Sequence, residues 1–152
     1  GWAIGEENLI RAMSDYISQS TSSACSISQK ASVVALEQCE QDVVHAMKLL
    51  KERRDYAVAR IRSTPNLDVI LPEGAFYLWV NIEKSFGKRY KGHVISNSKD
   101  FCHYFLEDYH VTAVPGIEFG TEGYLRVSYT VEMSRLEKAF DRLGKFLGAL
   151  EV

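Results

Sequence analysis

Apolar residues recur every three or four positions along most of the chain and every second position in a few short stretches, a pattern of helices interrupted by strands. Over Glu6–Ser18, the residues Leu9, Ile10, Met13 and Ile17 form one stripe. Glu6 and Glu7 fall in its first turn, where the helix dipole favours anions. A second helix is predicted over Ala24–Gln38, with Ile27, Ala31, Val34 and Ala35 inward, and a longer one over Gln41–Arg62. The stripe of that third helix is Val43, Val44, Met47, Leu50, Ala57, Val58 and Ile61. Between the first two runs the polar stretch Gln19-Ser20-Thr21-Ser22-Ser23, which offers Ser22 or Ser23 as the cap of the next helix. Thr64-Pro65 ends the third, because the residue before a proline resists the helical region.

The period then shortens. Leu67–Leu71 and Ala75–Ile82 read as two strands joined through Pro72-Glu73-Gly74, a hairpin. Its aromatics Phe76, Tyr77 and Trp79 read as core packing or as a stacking platform. Glu83–Ser98 is polar and lysine-rich, a surface excursion, and Asn97 or Ser98 caps a helix over Lys99–Tyr109 with Phe101, Cys102, Phe105, Leu106 and Tyr109 inward. A strand over Val111–Val114 stops at Pro115, three glycines follow (Gly116, Gly120, Gly123), and Tyr124–Tyr129 alternates again. Leu125, Val127 and Tyr129 take one face; Tyr124, Arg126 and Ser128 take the other. Thr130 caps a last helix over Glu132–Leu150, with Met133, Leu136, Phe140, Leu143, Phe146 and Leu147 inward. Trp2-Ala3-Ile4 reads as the end of a buried strand closed by Gly5, as if cut from something longer. Helices on one small, mostly antiparallel sheet make an α+β fold.

Composition adds limits. A chain of 152 residues, 46% hydrophobic and 25% charged, has a net charge of -2, so no overall field favours nucleic acid or an anionic membrane. No apolar run is long enough to span a bilayer, and the reading is a soluble cytoplasmic protein. Cys25, Cys39 and Cys102 are odd in number and set in helical patterns, which suits reduced, buried thiols. Cys102 and His103 lack a second pair to complete a metal site, so no metal is expected. Arg126 stands out: a guanidinium on a rigid strand beside a glycine-rich loop matches a carboxylate or phosphate through its paired N–H donors. The alternative is a strand arginine salt-bridged to a surface acid.

Four stretches in register over nearly the whole chain resemble the C-terminal part of a class I aminotransferase, in the aspartate aminotransferase branch of the fold-type I pyridoxal-phosphate enzymes. They are Gly1–Gly5, Gln19–Ser22 running into Cys25–Gln29, Pro72–Tyr77, and Val114–Gly120 running into Gly123–Tyr129. The resemblance implies that Arg126 grips the substrate α-carboxylate and that the loop containing Ser20 and Thr21 approaches the cofactor near a homodimer interface. It implies amino-acid and 2-oxo-acid substrates, pyridoxal phosphate, and aspartate:2-oxoglutarate transamination in the parent, with aromatic or prephenate-type acceptors open. In the gapless register the Schiff-base lysine and a phosphate-binding arginine lie upstream of Gly1, so no catalytic residue falls in this chain and it is expected to be inactive alone. Residues 1–40 would then be a remnant of the large, cofactor-binding domain, and 41–152 the small domain entered by a long connecting helix. The other reading is a free-standing α+β binding module that uses Arg126 and the Lys84–Lys99 loop to hold an acidic partner.

Overall fold

The computed structural model describes residues 1–152, which divide into two units, Gly1–His45 and Ala46–Val152. The first unit holds helix α1 (Glu7–Ser20), helix α2 (Ser26–Gln38) and the start of helix α3 (Glu40–Arg62). Glu6 caps α1 by accepting from the Leu9 amide at 3.1 Å. Neither α1 nor α2 has a buried residue, so the predicted stripes exist but are open: Leu9, Met13, Ile17, Ile27 and Val34 are all exposed. Trp2–Ile4 is not a strand either, since no second strand lies there to complete a ladder, and Trp2 and Ile4 are exposed. The cap expected from Ser22 or Ser23 is absent. Thr21 and Ser22 instead turn back to donate to the Ile17 carbonyl, closing α1, and Cys25 occupies the cap position of α2 without a side-chain bond.

In the second unit, β1 (Asp68–Val69), β2 (Tyr77–Asn81), β5 (Val114–Pro115) and β6 (Tyr124–Ser128) form an antiparallel sheet in the order β1-β2-β6-β5. Pro115 belongs to the ladder rather than ending it. It pairs with Leu125 on an edge strand, where a missing N–H breaks nothing. Leu78, Val80 and Leu125 point to one face and are buried against the apolar sides of α3, α4 (Ser98–Tyr109) and α5 (Met133–Gly148). Only the C-terminal half of α3 joins this core, through Ala57, Val58 and Ile61, while Val43, Val44 and Met47 stay exposed. Asn97 caps α4 by accepting from the Asp100 amide at 2.9 Å, whereas α5 starts after Glu132 and makes no use of Thr130.

Residues 83–98 are a surface excursion as read, but one with structure of its own. Strands β3 (Arg89–Tyr90) and β4 (His93–Val94) pair, and Arg89 exchanges backbone bonds of 2.8 Å with Glu151. Tyr90 and Ile95 are buried, with the Tyr90 ring 5.1 Å from Phe146. Burial pushes the Tyr90 hydroxyl's pKa well up. The thiols are all free, but only Cys102 is buried; Cys25 is exposed and Cys39 lies between helices.

Candidate functional site

The side of the sheet away from α4 and α5 carries the unusual chemistry. Arg126 lies across from Trp79 on β2 and Val114 on β5, so the guanidinium rises from the middle of a ladder and not from its fringe. Register puts Tyr77, Trp79 and Asn81 on the same face as Tyr124, Arg126 and Ser128. The aromatics of the hairpin are therefore not core. Phe76 and Tyr77 are about half exposed, and the buried positions of β2 are Leu78 and Val80. A single step of alternation decides this, and Leu78, Val80 and Ile82 were the signal for it in the sequence.

Arg126 Cζ lies 4.4 Å from the centre of the Tyr77 ring and 4.3 Å from that of Phe119. Trp79 meets Phe119 edge-on at 5.7 Å and stacks on Tyr124 at 5.5 Å. The other half-buried arginines give their N–H groups to protein oxygens: Arg53 to the Thr130 carbonyl, Arg54 to Asp55 and Arg60 to Asp141. Arg126 is half-buried as well, yet it has no carboxylate or carbonyl partner. Rings hold its planar body while the N–H fork is free, the condition for binding an anion from outside the chain.

Phe119 was not legible as a site residue, because it comes from a 3-10 turn, Gly116–Phe119, that has no periodicity to read. A Cβ on Gly116 would collide with the backbone oxygens of Thr121 and Tyr124, so the turn can fold this tightly only with glycine. Gly120 closes it in the left-handed region, at φ 77°. Two contacts tie the turn to the start of α4. Lys99 pairs with Glu118 at 2.9 Å, and Glu122 accepts from the amides of Ser98 at 2.7 Å and Gly123 at 2.9 Å. Burial opposes the charged form of Glu122, but the two N–H donors prevail and hold its pKa below the usual glutamate value.

Ser20 and Thr21 belong to the first unit and Arg126 to the second. The Ser20 hydroxyl donates to the Ile17 carbonyl at 3.3 Å, and both residues are exposed. Two basic residues of the excursion are engaged at the surface: Lys91 pairs with Asp108 at 2.8 Å, and Arg89 donates to the Gly92 carbonyl. A cavity of about 550 Å³ lies on the other side of the sheet, walled by Val80, Leu125, Val127, Arg135 and Arg142, and Arg126 has no part in it. The Arg126 site is an open face.

Residues 1–143 match the family described as Aminotransferase class I and II, and the chain belongs to that family. It is 42% identical over its whole length to a "Probable aspartate/prephenate aminotransferase" of Rickettsia felis, covering 37% of that protein. It is 39% identical to the "Aspartate aminotransferase" of Rhizobium meliloti, with 94% of this chain and 35% of the relative aligned. The crystal structure of the aspartate aminotransferase from Rhizobium meliloti superposes with a TM-score of 0.92 over 97% of this chain and 37% of its own, at 38% identity. That of an aromatic aminotransferase from Pyrococcus horikoshii gives 0.82 over 95% of this chain and 37% of its own, at 28% identity. The chain spans about 37% of the length of the curated relatives it matches.

The family depends on pyridoxal phosphate, which needs a lysine for its Schiff base.

Proposed function

We propose that the chain is the C-terminal part of a pyridoxal-phosphate-dependent aminotransferase, and that Arg126 receives the α-carboxylate of its amino-acid and 2-oxo-acid substrates. The free fork of a half-buried, ring-held arginine carries this reading. Two parallel N–H donors facing two carboxylate oxygens fix distance and rotation of the substrate together, which a lysine's point charge does not. A strand in the middle of a sheet makes that position rigid.

The cofactor lysine and most of the phosphate-binding groups belong, in this reading, to polypeptide outside these residues, and the 152-residue chain does not transaminate alone. Residues 1–40 go with the large domain; the exposed apolar faces of α1 and α2 support this. Ser20 and Thr21 approach the cofactor region in a homodimer. The relatives' names support an acidic or prephenate-type substrate, and the three free thiols support a cytoplasmic location. A free-standing module for an acidic partner has less behind it, since Lys91 and Lys99 are already paired.

Steady-state kinetics of the longer enzyme test the assignment. Arg126→Lys should cost about 1.5–3 kcal/mol of carboxylate binding, roughly a 10- to 150-fold loss in kcat/KM. Unchanged kinetics would remove Arg126 from the site.

A further inference from the structure

We propose that Phe119 and Tyr77 are positioning residues for the clamp: their rings hold the body of the Arg126 side chain and leave only its N–H edge to the carboxylate. The inference rests on the reading of Arg126 as the carboxylate ligand. Its ground is geometric. Both rings lie within 4.4 Å of Arg126 Cζ, and they come from different elements, Tyr77 from β2 and Phe119 from the 3-10 turn. Neither belongs to the hydrophobic core. Tyr77 is 41% and Phe119 47% exposed, so apolar burial does not account for where they sit.

The rings are themselves held. Trp79 packs edge-on against Phe119 and stacks on Tyr124, and the turn under Phe119 is pinned to α4 through Lys99–Glu118 and Glu122. Tyr77 sits next to Phe76, whose carbonyl accepts from the Tyr129 amide at 3.1 Å. A long side chain that would otherwise sample many rotamers thus waits in one orientation, and less freedom is lost when a carboxylate arrives. Ring faces also attract the cation without competing for its N–H groups, which an acidic partner would do.

The test uses the 152-residue chain, labelled with 15N, and follows the Nε–Hε signal of Arg126, identified by its disappearance in Arg126→Lys. In the wild-type chain, ring currents should displace this signal from the other arginines, and succinate at constant ionic strength should shift it saturably while acetamide does not. Phe119→Ala should lose much of the displacement and bind succinate about three- to tenfold more weakly, the scale of one cation–π contact. Phe119→Tyr should restore both. Tyr77→Leu, which leaves the turn alone, should show the same losses, with the backbone amides of α4 and α5 unmoved in every variant. Equal succinate affinity in wild type, Phe119→Ala and Tyr77→Leu would overturn the positioning role and leave the clamp standing. No response of the wild-type signal to succinate would bring down the clamp reading, and the positioning role with it.

Discussion

At Glu122 two backbone donors converge on one carboxylate, and this residue does as much for the site as many that would touch a ligand. It caps the first turn of α4 from outside the helix, where a negative charge also meets the helix dipole, and it fastens the loop that leads from Phe119 to Arg126. Glu122→Gln keeps the shape and removes the charge, and it should destabilise the chain by about 1 kcal/mol in urea denaturation. The pH dependence has a definite sign. Because the folded pKa is lowered, the wild-type advantage is fully present above the ordinary value of 4.5 and fades as the pH falls through the folded value. A constant gap between wild type and variant across acid pH would contradict the role. Arg126 was legible in the sequence because alternation over Tyr124–Tyr129 places it on the face opposite Leu125 and Val127. Its freedom from any acid was not legible, since ion pairing depends on residues far apart in the chain.

Among the elements, the 3-10 turn matters most for the site and has the weakest sequence signal. Its shape depends on Gly116 more than on any apolar pattern. Gly116→Ala pushes a Cβ into two backbone oxygens that cannot swing aside as a side chain would, and it should cost about 1–3 kcal/mol, read from the urea midpoint. A neutral result would mean that the turn relaxes freely. The five helices were readable to within a few residues because the 3.6 period persists over many turns. Caps were less so: Ser22, Ser23 and Thr130 have the right chemistry for capping, but the chain enters α2 and α5 after Cys25 and Glu132 instead. The excursion over residues 83–98 hid its structure for a related reason. Its many lysines and glycines conceal two anchors, Tyr90 and Ile95, spaced too irregularly to register as a period.

At the scale of the whole chain, the contrast is between a unit with a core and one without. Residues 46–152 bury a continuous cluster from Ala57 to Phe146, while α1 and α2 bury nothing. Local stability follows burial. Hydrogen exchange on the 152-residue chain should therefore find slow amides in β2, β6, α4 and α5 and fast exchange through α1 and α2; uniform protection would show that the first unit has found cover. The residues read as the inward stripes of α1 and α2 are in fact almost all exposed: a stripe says only that a helix has something to bury. What it is buried against lies beyond the helix's own sequence. The central claim is met most directly by a crystal structure of the longer enzyme with a bound unreactive dicarboxylate such as succinate. Both oxygens of one carboxylate should lie about 2.7–2.9 Å from the Arg126 guanidinium nitrogens, and a ligand seated elsewhere, with the Arg126 fork still empty, would contradict the account.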